Sequence, residues 1–179
     1  MFAIIDIETT GNKYNFGKIT EIAIYQHNGQ EITGEYSTLL NPEMDIPFFI
    51  TRLTGINNEM VKNAPKFYEV AKKIIEMTQD RTFIAHNVSF DYKFIKEEFK
   101  RLEYEYTQKT LCTVKLSRKY LPGHKSYSLG KLCSDLGIEI KGRHRAAGDA
   151  LATVKLFEIL LEKNKSFTDS KAINNYKLF

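Results

Sequence analysis

Two carboxylates, Asp6 and Glu8, stand inside an otherwise apolar opening run, Met-Phe-Ala-Ile-Ile-Asp-Ile-Glu-Thr-Thr-Gly. The run is short, rich in Ile and closed by Gly11, the pattern of a buried strand. Side chains two apart on a strand share a face, so Asp6 and Glu8 point one way while Ile5 and Ile7 point the other. Burying an uncompensated carboxylate is costly, and two like charges side by side repel. A divalent cation between them is the simplest arrangement that satisfies both demands.

The 179 residues suit one domain with a sizeable core, and 42% apolar with 27% charged content is ordinary for a globular chain. No stretch is long and apolar enough to span a bilayer, and the N-terminus lacks the layout of a signal peptide. Cys112 and Cys133 have no metal-type spacing and read as buried free thiols of a reducing compartment, so a cytoplasmic location is expected, away from any membrane. Charge is unevenly distributed. Between Lys115 and Arg145 eight basic residues face only Asp135 and Glu139, a local net of +6, while the rest of the chain nets −2. A solvated basic face would explain this, as would a surface that tracks phosphates.

Apolar periodicity predicts three antiparallel strands at the start: the opening run, Ile19 to His27, and Glu31 to Leu40. Asn28-Gly29 marks the second turn. Short helices are expected over Pro47 to Leu53 and Asn58 to Lys62, then a longer one over Lys66 to Thr78. A fourth strand follows at Arg81 to Ala85. Ser89 is the expected cap of a helix with Phe90, Phe94, Ile95 and Phe99 on one stripe. A fifth strand (Lys109 to Cys112), a helix to Tyr120, a helix from Ser128 to Gly137 and a last helix over Ala146 to Glu162 complete the pattern. This is a mixed five-stranded α/β sheet flanked by helices, and ligands on such sheets gather at strand ends. The polar, aperiodic stretch from Asn164 reads as a tail or linker.

Asp91 lies at the junction of the fourth strand and the next helix, and Asp149 early in the last helix. Each alone is an ordinary helix-start acid. Together with Asp6 and Glu8, four acids on three elements could cage two divalent ions, and hard oxygen ligands suit Mg²⁺ or Mn²⁺. Two such ions roughly 3.5–4 Å apart can clamp the attacking and leaving oxygens of a phosphoryl displacement. His144 precedes Asp149 by five residues, roughly 140° around a helix, so it is expected in the loop or first turn before it. There it reads either as a surface histidine of a basic loop or as a base for an incoming water.

The segments Asp6-Ile-Glu8-Thr-Thr-Gly11, His86-Asn-Val-Ser-Phe-Asp91 and His144-Arg-Ala-Ala-Gly-Asp149 resemble, in order and spacing, the three motifs of the DEDDh (DnaQ-like) 3′–5′ exonucleases. That family includes the proofreading epsilon subunit of bacterial DNA polymerase III, RNase T and oligoribonuclease. The resemblance covers about residues 1–165, with 166–179 left as tail or linker. It implies a ribonuclease H-like fold and two-metal hydrolysis that releases nucleoside 5′-monophosphates. In that pattern Asp6, Glu8 and Asp149 hold one metal, Asp6 and Asp91 the second, and His144 is the general base. The resemblance also places Thr9, with Thr10 beside it, at the terminal nucleotide. Phe90 falls near the terminal base or in the core, and His86 and Asn87 behind the substrate. Leu53-Thr54-Gly55-Ile56 matches a further family segment that shapes the terminal-base pocket.

The basic stretch then acquires backbone phosphates as its partner, with Tyr120 or Tyr127 as a stacking surface. The implied partners are single-stranded DNA or RNA 3′ ends, with DNA favoured, and either a polymerase subunit or a fused second nuclease domain. Two competing readings keep the fold but change the activity: a silent nucleic-acid-binding module, and an endonuclease or ribonuclease H.

Overall fold

The computed structural model describes residues 1–163. The expected tail over 166–179 lies outside the described residues. Five strands form one sheet in the order β3-β2-β1-β4-β5. They are β1 (Phe2–Thr9), β2 (Ile19–His27), β3 (Ile32–Leu39), β4 (Thr82–Ala85) and β5 (Thr110–Cys112). The first three are antiparallel neighbours, and β4 and β5 add in parallel. The turn between β2 and β3 follows the Asn28-Gly29 signal: the Asn28 side chain accepts from the Gln30 and Glu31 N–H groups, and Gly29 takes φ 102°.

Seven helices among the described residues cover this sheet. Helices α1 (Phe48–Thr54) and α2 (Asn58–Val61) close a small separate cluster around Ile46, Ile50, Ile56 and Val61. On one face, α3 (Phe67–Thr78) and α4 (Ser89–Arg101) pack Ile74, Phe94, Ile95 and Phe99 against Ala3, Ile5 and Ile7. On the other, α5 (Thr113–Tyr120), α6 (Leu129–Asp135) and α7 (Ala146–Lys163) pack Leu116, Leu132, Val154 and Phe157 against Phe2 and Ile4. Strand alternation therefore sends Asp6 and Glu8 toward the α7 face, as the spacing predicts.

Two local devices shape the site. Ala23 of β2 meets Ala146 and Ala150 of α7, all fully buried. With only methyl groups between them, the first turns of α7 approach the sheet closely. In addition, β1 pairs with β4 only as far as Ile4–Ile84, whereas its pairing with β2 runs on to Thr9, with an irregular step between Glu8 and Thr9. The end of β1 thus projects beyond β4 and leaves backbone donors for other partners.

One expectation fails here. Ser89 does not cap α4; it is that helix's first residue, and its hydroxyl meets the Asn87 side chain at 3.2 Å. The turn is made instead by Asn87, at φ 74°, whose carbonyl accepts from the Phe90 N–H. A short polar side chain tolerates this left-handed conformation better than most. No helix among the described residues is long and apolar enough to cross a membrane.

Candidate active site

Asp6 and Glu8 from β1 and Asp149 from the first turn of α7 converge, each offering one carboxylate oxygen within 4.8 Å of the others. Burial is the largest influence on all three and pushes their proton affinities up. Asp6 is raised well above the ordinary carboxylate range, further helped by Asp91, Asp149 and Glu8. Glu8 is raised to about 7 by burial and by Asp149 and Glu21, against the opposing pull of Arg145. Asp149 is raised by burial as well, against the pull of the His144 backbone N–H, which donates to its Oδ2 at 3.1 Å. Its other oxygen, Oδ1, is buried without a hydrogen-bond partner. A buried oxygen left orphaned beside two more carboxylates is what a hard divalent cation would satisfy. These residues fit such an ion.

Asp91 stands apart from this trio. It sits in the first turn of α4, only 4% exposed, and accepts hydrogen bonds from its own N–H and from that of Ile7. The second bond uses a donor on the part of β1 that projects beyond β4. Burial still carries its pKa to about 8 despite those two donors. Its charge is felt at Asp6, so the fourth acid is electrically part of the group while lying beyond the close cluster.

His144 occupies the turn ahead of α7, as its spacing predicts, and takes φ 60°. That turn is tightly defined. Gly142 has φ 70°, Arg145 N–H bonds the Gly142 carbonyl, and a Cβ on Gly148 would lie 2.0 Å from the Lys141 carbonyl oxygen. The glycine at 148 lets helix and turn touch backbone to backbone.

The remaining sequence candidates have other occupations. The Thr9 hydroxyl donates to the Gly11 carbonyl at 2.6 Å, and that of Thr10 accepts from the Lys18 N–H. Both close the loop behind the acids. His86 is held through both ring nitrogens, to Thr113 Oγ1 at 2.9 Å and the Tyr127 carbonyl at 2.8 Å. Burial lowers its pKa, so the neutral ring donates from Nε2 to the carbonyl and accepts from the threonine. Phe90 is half-buried against Phe94, at 5.0 Å between ring centres. Asn87 is exposed. Tyr127 is committed to the fold rather than free to stack: its hydroxyl donates to Leu121 and Arg118 covers its ring. Lys119 lies 4.9 Å from the centre of the Tyr120 ring.

Sequence reasoning missed Glu21. It is the cross-strand partner of Glu8, 5% exposed, and grips Arg145 through both carboxylate oxygens. The signal was available, because Glu21 interrupts an apolar strand in the same way that Asp6 does.

The model of the RNase T exonuclease family matches residues 3–157. A 3′–5′ exonuclease DinG of Staphylococcus saprophyticus is 37% identical over 166 residues, covering 92% of this chain and 18% of its own length. The DinG of Staphylococcus aureus strain USA300 is likewise 37% identical, over 163 residues. The chain thus spans less than a fifth of these curated relatives. Among solved structures, Exonuclease X in complex with 5′ overhanging duplex DNA aligns with TM-score 0.77 and 27% identity, covering 92% of this chain and 93% of that one. The nuclease domain of 3′hExo, a DEDDh family member bound to rAMP, aligns with TM-score 0.78 at 21% identity over 91% and 92% of the two chains, a likeness of fold. With its sheet order, its acidic cluster and a family match across nearly all the described residues, this chain belongs to the RNase T exonuclease family as a DEDDh-type member.

Proposed function

We propose that this chain removes nucleotides from the 3′ end of single-stranded DNA by hydrolysis, releasing nucleoside 5′-monophosphates. The observation that carries the reading is the convergence of Asp6, Glu8 and Asp149, with Asp149 Oδ1 left unpartnered, beside a histidine fixed in the adjoining turn. Asp6, Glu8 and Asp149 would hold one divalent cation, and Asp6 with Asp91 a second. Bound there, Mg²⁺ or Mn²⁺ would neutralise charge at the scissile phosphate and make water more acidic.

The chain's own residues then have defined tasks. A ring nitrogen of His144 accepts a proton from the attacking water. As the new P–O bond forms, the bond from phosphorus to the 3′-oxygen of the preceding nucleotide breaks. That oxygen leaves with the bonding pair, takes a proton from solvent and stays as the 3′-hydroxyl of the shortened strand, while the phosphate leaves on the 5′ side of the released nucleotide. Thr9 and the loop to Gly11 border the place where the terminal 3′-hydroxyl would lie. DNA is favoured over RNA by the resemblance of the motif set to polymerase-associated members, and the Exonuclease X complex with DNA supports the choice.

Digestion of 5′-labelled DNA and RNA oligonucleotides tests the proposal. A ladder shortening from the 3′ end, faster on DNA and abolished by EDTA, is expected. Internal cuts, or cleavage that survives both Asp6→Ala and His144→Ala, would overturn it.

A further inference from the structure

The Glu21–Arg145 pair lies outside the acidic trio yet adjoins both Glu8 and the start of α7. Glu21 sits on β2 opposite Glu8, on the same face of the sheet. Arg145 Nε lies 3.2 and 3.0 Å from the two carboxylate oxygens, and Arg145 Nη2 lies 2.7 Å from Oε1. Oε2 also accepts from the Ala146 N–H at 2.8 Å. That N–H belongs to the first turn of α7, where helix donors have no partner within the helix. Glu21 therefore satisfies a first-turn donor of α7 from 125 residues away.

Next to this anchor is His144, at a positive φ that side-chain-bearing residues rarely adopt. It is bracketed by Asp149, which holds its N–H, and by Glu21, which holds the two residues after it.

We infer that Glu21 is a positioning residue, which with Arg145 sets the attitude of the His144 turn and trims the negative charge presented to a divalent cation. The inference rests on the exonuclease reading for its effect on turnover, but its charge component does not need that reading. Glu21 adds a negative charge beside the trio and Arg145 offsets it, so removing one or the other moves cation affinity in opposite directions.

The test uses Glu21→Gln, Arg145→Gln and Arg145→Lys. Binding of Mn²⁺ without substrate is measured by calorimetry at mildly alkaline pH and low salt, with steady-state digestion of a DNA oligonucleotide measured in parallel. Glu21→Gln is expected to weaken Mn²⁺ binding and Arg145→Gln to strengthen it, each by about tenfold at the separations of neighbouring strands. Arg145→Lys keeps the charge and loses the fork, so it retains Mn²⁺ affinity within about twofold. In all three variants kcat falls by about ten- to a hundredfold while KM holds, because the turn carrying His144 loses its fixed attitude.

A purely structural salt bridge would give affinity changes of the same sign in Glu21→Gln and Arg145→Gln, and that result overturns the inference. So does wild-type kcat in both Arg145 variants. If Glu21→Gln does not fold, the contrast between Arg145→Gln and Arg145→Lys decides the charge component alone. Opposite-signed Mn²⁺ responses in Glu21→Gln and Arg145→Gln, beside a wild-type chain that fails to digest DNA, would sink the exonuclease reading and leave the pair's effect on charge standing.

Discussion

Gly148→Ala sets two effects of opposite sign against each other. In the interior of a helix, alanine is favoured over glycine by roughly 1 kcal/mol, so propensity alone makes the variant more stable. The structure says otherwise. The added Cβ would lie 2.0 Å from the Lys141 carbonyl oxygen and 2.5 Å from that of Gly142. Ordinary contact lies at about 3.4 Å, so the 141–142 backbone would retreat by about 1.4 Å. Overpacking of this kind costs about 1–3 kcal/mol. Contact should prevail, leaving a net loss of up to about 2 kcal/mol and a lower urea midpoint with an unchanged slope. The retreating turn continues into His144, and a misplacement of about 1 Å near reacting groups can cost about a hundredfold in rate. Paired urea melts and single-turnover digestion would read both effects. A Gly148→Ala protein that is more stable than wild type and equally fast would refute the reasoning, because the backbone contact would then be unable to hold the turn.

Metal-free stability should fall as pH rises. The unfolded chain releases its Glu8 and Asp91 protons near the ordinary values of 4.5 and 3.8, while the folded site keeps them to about 7 and about 8. The folded state binds more protons across that window, so stability is lost through it and levels off above. Thermal melts in EDTA against pH would show the decline, saturating Mg²⁺ should flatten it, and a rise instead would contradict the assignment. In EDTA at neutral pH, Asp6→Asn should melt higher than wild type, because it removes one of the mutually repelling buried carboxylates, and with Mg²⁺ supplied it should lose turnover; a lower melting point would count against the crowding. Affinity for single-stranded DNA should fall linearly on a log–log plot against salt through the Lys115–Arg145 segment, and a flat plot would reject phosphate tracking there.

Much of this molecule can be read in its sequence because the signals are local. Asp6 and Glu8 declare a shared face through period-two spacing, and element limits follow from apolar runs ended by Gly55, Gly123 and Gly137. What stayed hidden depends on pairs distant in sequence. Nothing near Ala23 announces Ala146 and Ala150, although their small size sets the approach of α7. Glu21 stands out as an acid in an apolar strand, but its partners Glu8, Arg145 and Ala146 emerge only with the strand register and the placement of α7. The free look of Tyr127 vanishes once Arg118, Leu121 and His86 are placed around it. Ser89 fails as a cap for a subtler reason: Asn87, two residues earlier, already makes the turn with its backbone.

Arg101 offers a last lesson. Its guanidinium bonds Glu98, itself 3% exposed and also held by Lys18, and donates to the carbonyls of Tyr14, Asn15 and Gly17. The loop that leaves the acidic strand is thus gripped through its main chain at Tyr14, Asn15 and Gly17, with the Lys18 ammonium and the Tyr14 ring, which packs on Phe94, as its side-chain anchors. A loop fastened in this way can change its outward residues, such as the 77% exposed Phe16, without losing its course. Replacement of those outward residues would leave the course of the loop, and with it the end of the strand that carries Asp6 and Glu8, unchanged.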